Sequence, residues 1–186
     1  MPRQLFVFDP PERFVAGTVG QPGDRTFYLQ ASGNGRSVSV ALEKVQVAVL
    51  AERLTELLEE VRRRGAGDVP PVAARELEDT APLDSPVEEE FRVGSMGLAW
   101  DGETERVLVE ALAQQETSEE AEEVEPFSEA DEGPDALRVR ITADAARAFI
   151  ARAERVVAAG RPPCPLCGLP LDPQGHICPR QNGHRR

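Results

Sequence analysis

The chain has 186 residues, with 33 acidic against 21 basic side chains and a formal net charge of −12. That length suits one ordinary domain with a small appendage, and 40% hydrophobic against 29% charged residues suggests a core diluted by solvated segments. No run approaches 18 apolar residues and nothing in MPRQLFVFDPPERF reads as a signal peptide, so the expectation is a cytoplasmic protein with no membrane segment.

The first predicted element is FVAGTVG, Phe14–Gly20, followed by the turn QPGD and the alternating run RTFYLQA from Arg25. A tight hairpin at GNG, residues 33–35, leads into a third alternating run, RSVSVAL from Arg36. Leu50, Leu54, Leu57, Leu58 and Val61 then form one apolar stripe at helical spacing, with Gly65 just past its end. Residues 66–90 hold four prolines, several acids and few large apolar groups, which predicts a flexible segment.

The pattern then repeats. FRVGSMG, Phe91–Gly97, shares Phe, Gly and Gly with the first copy at equal offsets, and DGET supplies the following turn. The runs RVLVEALA from Arg106 and LRVRI from Leu137 match the second and third strands. Between them lie residues 114–136, which carry ten acids and no base and stand where the first copy has GNG. They are expected to be an overgrown, flexible hairpin loop. Thr142 is placed as the N-cap of a second helix with Asp144 in its first turn, and Ala146, Phe149, Ile150, Ala153 and Val157 as its buried stripe. The expected fold class is α+β: two βββα repeats merging into one antiparallel sheet with both helices on one face. This body spans residues 1–160, and residues 161–186 form a zinc-binding tail.

All three cysteines and both histidines lie in that tail. Cys164 and Cys167 form a CPLC knuckle, Gly168 permits a close turn after it, and His176 and Cys178 follow eight residues later. Cys164, Cys167, His176 and Cys178 are therefore the candidate ligands of one structural Zn²⁺. His184 competes for the fourth position, but it stands near an Arg-rich end with less to hold its geometry. The thioredoxin-type reading of CxxC is disfavoured because CPLCGLPLDP is full of helix breakers. PCPLC matches half of the zinc deaminase signature, yet no histidine precedes His176 to supply the HxE half. No histidine outside the tail serves a nucleophile and no phosphate loop is present, so no catalytic residues are assigned and an enzyme is disfavoured.

FDPPERFVAGTVGQPGDRTFYLQA and CPLCGLPLDPQGHICPRQNGHRR resemble the actinobacterial domain of unknown function 3090 family, over most of the chain. The resemblance implies the pattern Cys164, Cys167, His176, Cys178, with an aromatic often standing at the position of His184, which favours His176 as a ligand. It implies a cytoplasmic protein and no activity. Two functions remain. One is a protein-interaction or adaptor module stabilised by zinc, with an unknown protein partner. The other is a nucleic-acid binder using Arg138, Arg140, Arg147, Arg152, Arg155, Arg161, Arg180, Arg185 and Arg186.

Overall fold

The computed structural model describes residues 2–116, 125–159, 165–168 and 178. The strands are β1 (Leu5–Phe8), β2 (Arg13–Gln21), β3 (Asp24–Gly33), β4 (Arg36–Leu42), β5 (Glu89–Asp101), β6 (Arg106–Ala113) and β7 (Ala136–Thr142). Helix α1 (Lys44–Arg64) follows β4, helix α2 (Ala143–Ala158) follows β7, and a short 3₁₀ turn spans Arg75–Leu77. The two halves, β2-β3-β4-α1 and β5-β6-β7-α2, reproduce the expected repeat within an α+β fold.

Local chemistry sets these elements. Asn34 and Gly35 both take positive φ, 54° and 77°, as a two-residue hairpin demands when its turn must follow the strand twist. Pro22 and Gly23 form the β2–β3 turn, with Gly23 at φ 94°. Gly65 closes α1 in the left-handed conformation. Thr142 caps α2, its hydroxyl accepting from the Ala145 amide at 3.1 Å. At the start of α1 the Glu43 amide donates to Gln46 Oε1 at 2.7 Å.

The sheet is mixed, not purely antiparallel as expected. Its strand order is β1-β7-β6-β5-β4-β3-β2, with parallel pairing of β4 to β5 and of β1 to β7. The cause of the central parallel pair is α1, a crossover that returns the chain to the end of the sheet where β4 began. The seam it creates is short and bulged, pairing only Ser39 with Glu89 and Ala41 with Arg92. The outer strand β1 precedes the repeat and was not anticipated, since LFVF is too short to show alternation.

The sheet must also curl. Laid flat, β1 and β2 would stand six strand spacings apart, about 29 Å at ~4.8 Å each. Only residues 9–12 join them, and such a link reaches about 18 Å when fully extended. Consistently, Phe8 of β1 comes close to Gly33 of β3, and Arg36 donates to the Val7 carbonyl.

Each helix lies against the leading strand of the other half. Phe149 of α2 stacks on Phe14 of β2 with ring centroids 4.6 Å apart, while Gln46 of α1 donates to the Val93 carbonyl of β5. Both helices pack on one another and on a single core that includes Leu29, Val40, Leu54, Leu58, Val107, Val109 and Phe149. This exchange interlocks the halves, so neither repeat buries its sheet face alone.

The acidic segment 66–90, expected to be flexible, carries specific contacts with the body. Val69 and Leu83 are buried, and Leu83 fills the space that a side chain on Gly17 would need. Asp79 is held by Arg13 and Arg152, and the Asp84 backbone exchanges two hydrogen bonds with the buried Gln30 side chain. Its last two residues, Glu89 and Glu90, belong to β5. Strands β6 and β7 pair antiparallel on either side of the segment expected at 114–136, whose residues 117–124 lie outside the described residues. Ala136 already belongs to β7, and residues from 125 onward carry contacts with the sheet. The Phe127 amide donates to Glu110 at 2.8 Å, and Pro126 lies against Gly97.

Candidate metal centre

Of the four candidate ligands, Cys167 and Cys178 fall within the described residues; Cys164 and His176 lie outside them, as does the competing His184. Residues 165–167 form a turn and Gly168 follows with φ 76°, a conformation that glycine adopts without strain. A CPLCG knuckle would need a sharp bend at this point to aim two thiolates at one ion. Cys178 is only 3% exposed although its stretch of chain holds few large apolar groups, while Leu166 beside the knuckle is 47% exposed. Among the described residues no group of three or more Cys, His, Asp or Glu is arranged to hold a metal.

The donor set fits zinc. Three thiols and one imidazole are soft to borderline ligands, and four of them complete a tetrahedral shell with no position left for water. Zinc would supply the stability that so short a segment lacks, since metal binding free energy there becomes folding free energy.

The arginines considered for phosphate binding are placed differently. Arg138 lies over the sheet face and donates from Nε and a terminal nitrogen to the fully buried Glu110, at 2.8 and 2.6 Å, and from the other terminal nitrogen to Glu129. Arg140 pairs with Asp101 in the β5–β6 turn. Arg147 is buried between Glu59 of α1 and the Pro70 carbonyl. Arg152 donates to the Ala16 carbonyl of β2 at 2.7 Å, to the Asp79 and Ala81 carbonyls, and to the Asp79 carboxylate. Arg155 reaches Glu78 at 3.6 Å. Arg161, Arg180, Arg185 and Arg186 lie outside the described residues.

The clasp around Asp79 has electrostatic consequences. Hydrogen bonding from Arg13 holds the Asp79 carboxyl below its usual range, against the opposing effect of burial. The same contact raises Arg13, whereas burial pushes Arg152 down. Sequence patterning missed this cluster because Asp79 is one of many acids in its segment. The signal present in the sequence was Arg152 beside the apolar stripe of α2.

No helix among the described residues is long and apolar enough to cross a membrane. A search of curated proteins and of solved structures returns no match. A family model described as a protein of unknown function, DUF3090, matches residues 6–178 and so takes in Cys164, Cys167, His176 and Cys178 while leaving out His184. A match over nearly the whole chain, both repeats and the four candidate ligands included, places the protein in the DUF3090 family.

Proposed function

We propose that the chain is a non-enzymatic cytoplasmic protein that acts as a protein-interaction or adaptor module, with Cys164, Cys167, His176 and Cys178 holding one structural Zn²⁺. The observation that carries the metal site is the burial of Cys178 together with the left-handed turn at Gly168. The span of the family match, ending at Cys178, supports His176 over His184. A closed Cys3His site leaves no open coordination position for chemistry, which favours a stabilising role. The nucleic-acid alternative draws on Arg161, Arg180, Arg185 and Arg186, since the arginines of β7 and α2 have partners within the chain.

The test is elemental analysis of purified protein. One zinc per chain is expected, lost in Cys164→Ser, Cys167→Ser and Cys178→Ser, weakened or lost in His176→Ala and kept in His184→Ala. Zinc-free wild type rejects the site, and loss at His184 alone reverses the ligand choice. Capture from a native lysate with and without nuclease then separates the two functions. A discrete protein partner that survives nuclease supports the adaptor, and loss of every partner supports nucleic-acid binding.

A further inference from the structure

The strand β5 outlasts its neighbour. Strand β4 pairs with it only at Glu89 and Arg92, then ends at Leu42, while β5 continues to Asp101. From Val93 to Asp101 it has β6 on one side and, among the described residues, no strand on the other. Alternate residues of such an edge direct their N–H and C=O groups outward, ready to pair with another extended chain. Helix α1 begins where β4 stops and stands alongside this edge, with Gln46 taking the Val93 carbonyl at 3.2 Å.

Between helix and edge runs an open groove of about 320 Å³, walled by Val45, Val49 and Leu50 from α1 and by Met96 and Leu98 from β5. Val45 and Val49, one turn apart on α1, are 65% and 41% exposed. They form a second apolar stripe on a helix whose first stripe already faces the core. The groove has one charged lining residue, Arg53, in a protein whose acids far outnumber its bases. Its guanidinium meets Glu56 at 3.2 Å with both side chains mostly exposed, a pair worth little in water and readily exchanged for a ligand carboxylate. The remaining negative charge of the chain is screened beyond about 8 Å at physiological salt, so a ligand seated here meets Arg53 first.

We infer that this groove is a peptide-binding site of the strand-addition type: it takes an extended segment of a partner protein with apolar side chains at alternate positions and a carboxylate beside Arg53. The main chain of the ligand pairs with the open edge of β5 and its apolar side chains lie against Val45, Val49 and Met96. With the Val93 carbonyl already taken by Gln46, residues 94–100 offer about 20 Å of edge at ~3.3 Å per residue, which matches about seven ligand residues. This reading deepens the adaptor proposal and rests on it for the existence of a protein partner, but it does not involve the zinc tail.

The test selects random heptapeptides displayed on phage against the full chain. Enriched peptides are expected to alternate apolar residues and to carry an acid. Their affinity should fall at least tenfold on Val49→Glu and on Arg53→Glu, both surface changes whose folding is checked by circular dichroism. Replacing the acid by lysine should restore binding to Arg53→Glu. N-methylation at alternate backbone positions should abolish binding, and bound peptide should slow amide exchange within residues 94–100. Failure to enrich any peptide, equal binding to both variants, or binding that tolerates N-methylation overturns the inference. Cys178→Ser separates this proposal from the metal site: it should lose zinc yet still bind peptide. Zinc without peptide binding rejects the groove alone, and peptide binding without zinc rejects the metal site alone.

Discussion

Replacing Glu110 by leucine should destabilise the sheet substantially. Its carboxylate is wholly buried and accepts three hydrogen bonds, two from Arg138 and one from the Phe127 amide. Removing one member of a buried pair typically costs about 3–5 kcal/mol, because the other charge is left without compensation. Arg138 would retain Glu129 at 2.8 Å and the Ser128 carbonyl at 3.1 Å, which sets the expected loss near the low end, about 3 kcal/mol. With a urea slope in the upper part of the usual range of about 1–3 kcal/mol/M, the unfolding midpoint should drop by about 1 M or slightly more. The double change Glu110→Leu with Arg138→Met removes both charges and should recover much of that loss, so the two substitutions are strongly non-additive. Glu129→Gln, at an exposed carboxylate, should cost no more than about 1 kcal/mol. Urea unfolding followed by circular dichroism reads the wild type, Glu110→Leu, Arg138→Met, their combination and Glu129→Gln. A Glu110→Leu midpoint close to wild type, or a double variant as unstable as the sum of its singles, would refute the reasoning.

Stability should fall as pH drops through about 3.9, the ordinary Asp value, and onward through the lower folded pKa of Asp79, because the unfolded carboxyl takes its proton first while the folded one, held by Arg13, stays ionised to lower pH. Asp79→Asn should flatten this part of the profile in pH-dependent urea melts; an unchanged profile rejects the clasp as its source. Gly17→Ala should destabilise by about 1–3 kcal/mol, since its Cβ would stand 2.5 Å from Leu83 Cδ2, and Leu83→Ala in the same chain should relieve the overpacking component. Thermal melts of the two single variants and the pair check this. Replacing residues 117–124 by a short Gly-Ser link should change stability by less than about 1 kcal/mol, because closure entropy varies slowly with loop length. Cutting out 114–135 as a whole should be far costlier, since it strips Glu110 and Arg138 of Phe127, Ser128 and Glu129, and chemical denaturation of both deletions distinguishes the cases.

The parts of the fold legible in the sequence are those decided locally. Asn34-Gly35, Gly65 and Thr142 each meet a backbone requirement that few residues satisfy, so they mark turns and caps without reference to the rest of the chain. The β-β-β-α repeat was readable for the same reason, its strands being bounded by such signals. What escaped depends on distant partners. The direction of β5 follows from where α1 delivers the chain, and the curl follows from the short link between β1 and β2. Residues 66–88 read as solvent-loving because composition counts acids without knowing which of them meets Arg13, Arg152 or Gln30. In the tail, residue types and spacing carried the whole argument for zinc, and the structure adds the turn at Gly168 and the burial of Cys178.

Arg152 explains why a chain with twenty arginines and one lysine need not have a basic surface. β2 ends the sheet among the described residues, so its outward carbonyls have no strand there to pair with, and Nε of Arg152 donates to the one at Ala16. The same guanidinium gathers the Asp79 and Ala81 carbonyls and the Asp79 carboxylate. One side chain thereby seats α2, closes an edge and fastens the acidic strap. A lysine ammonium has three donors on a point charge and cannot span acceptors on two sides in this way. Arg138 and Arg147 act similarly: Arg138 joins the buried Glu110 to the Ser128 carbonyl, and Arg147, itself buried, joins Glu59 of α1 to the Pro70 carbonyl. For a phosphate to recruit these groups, it would have to break contacts that hold α2 and the connecting loops in place. Arg138, Arg147 and Arg152 therefore serve the internal cohesion of this body, while Arg62, Arg63 and Arg64 at the end of α1 remain exposed beside Glu59 and Glu60.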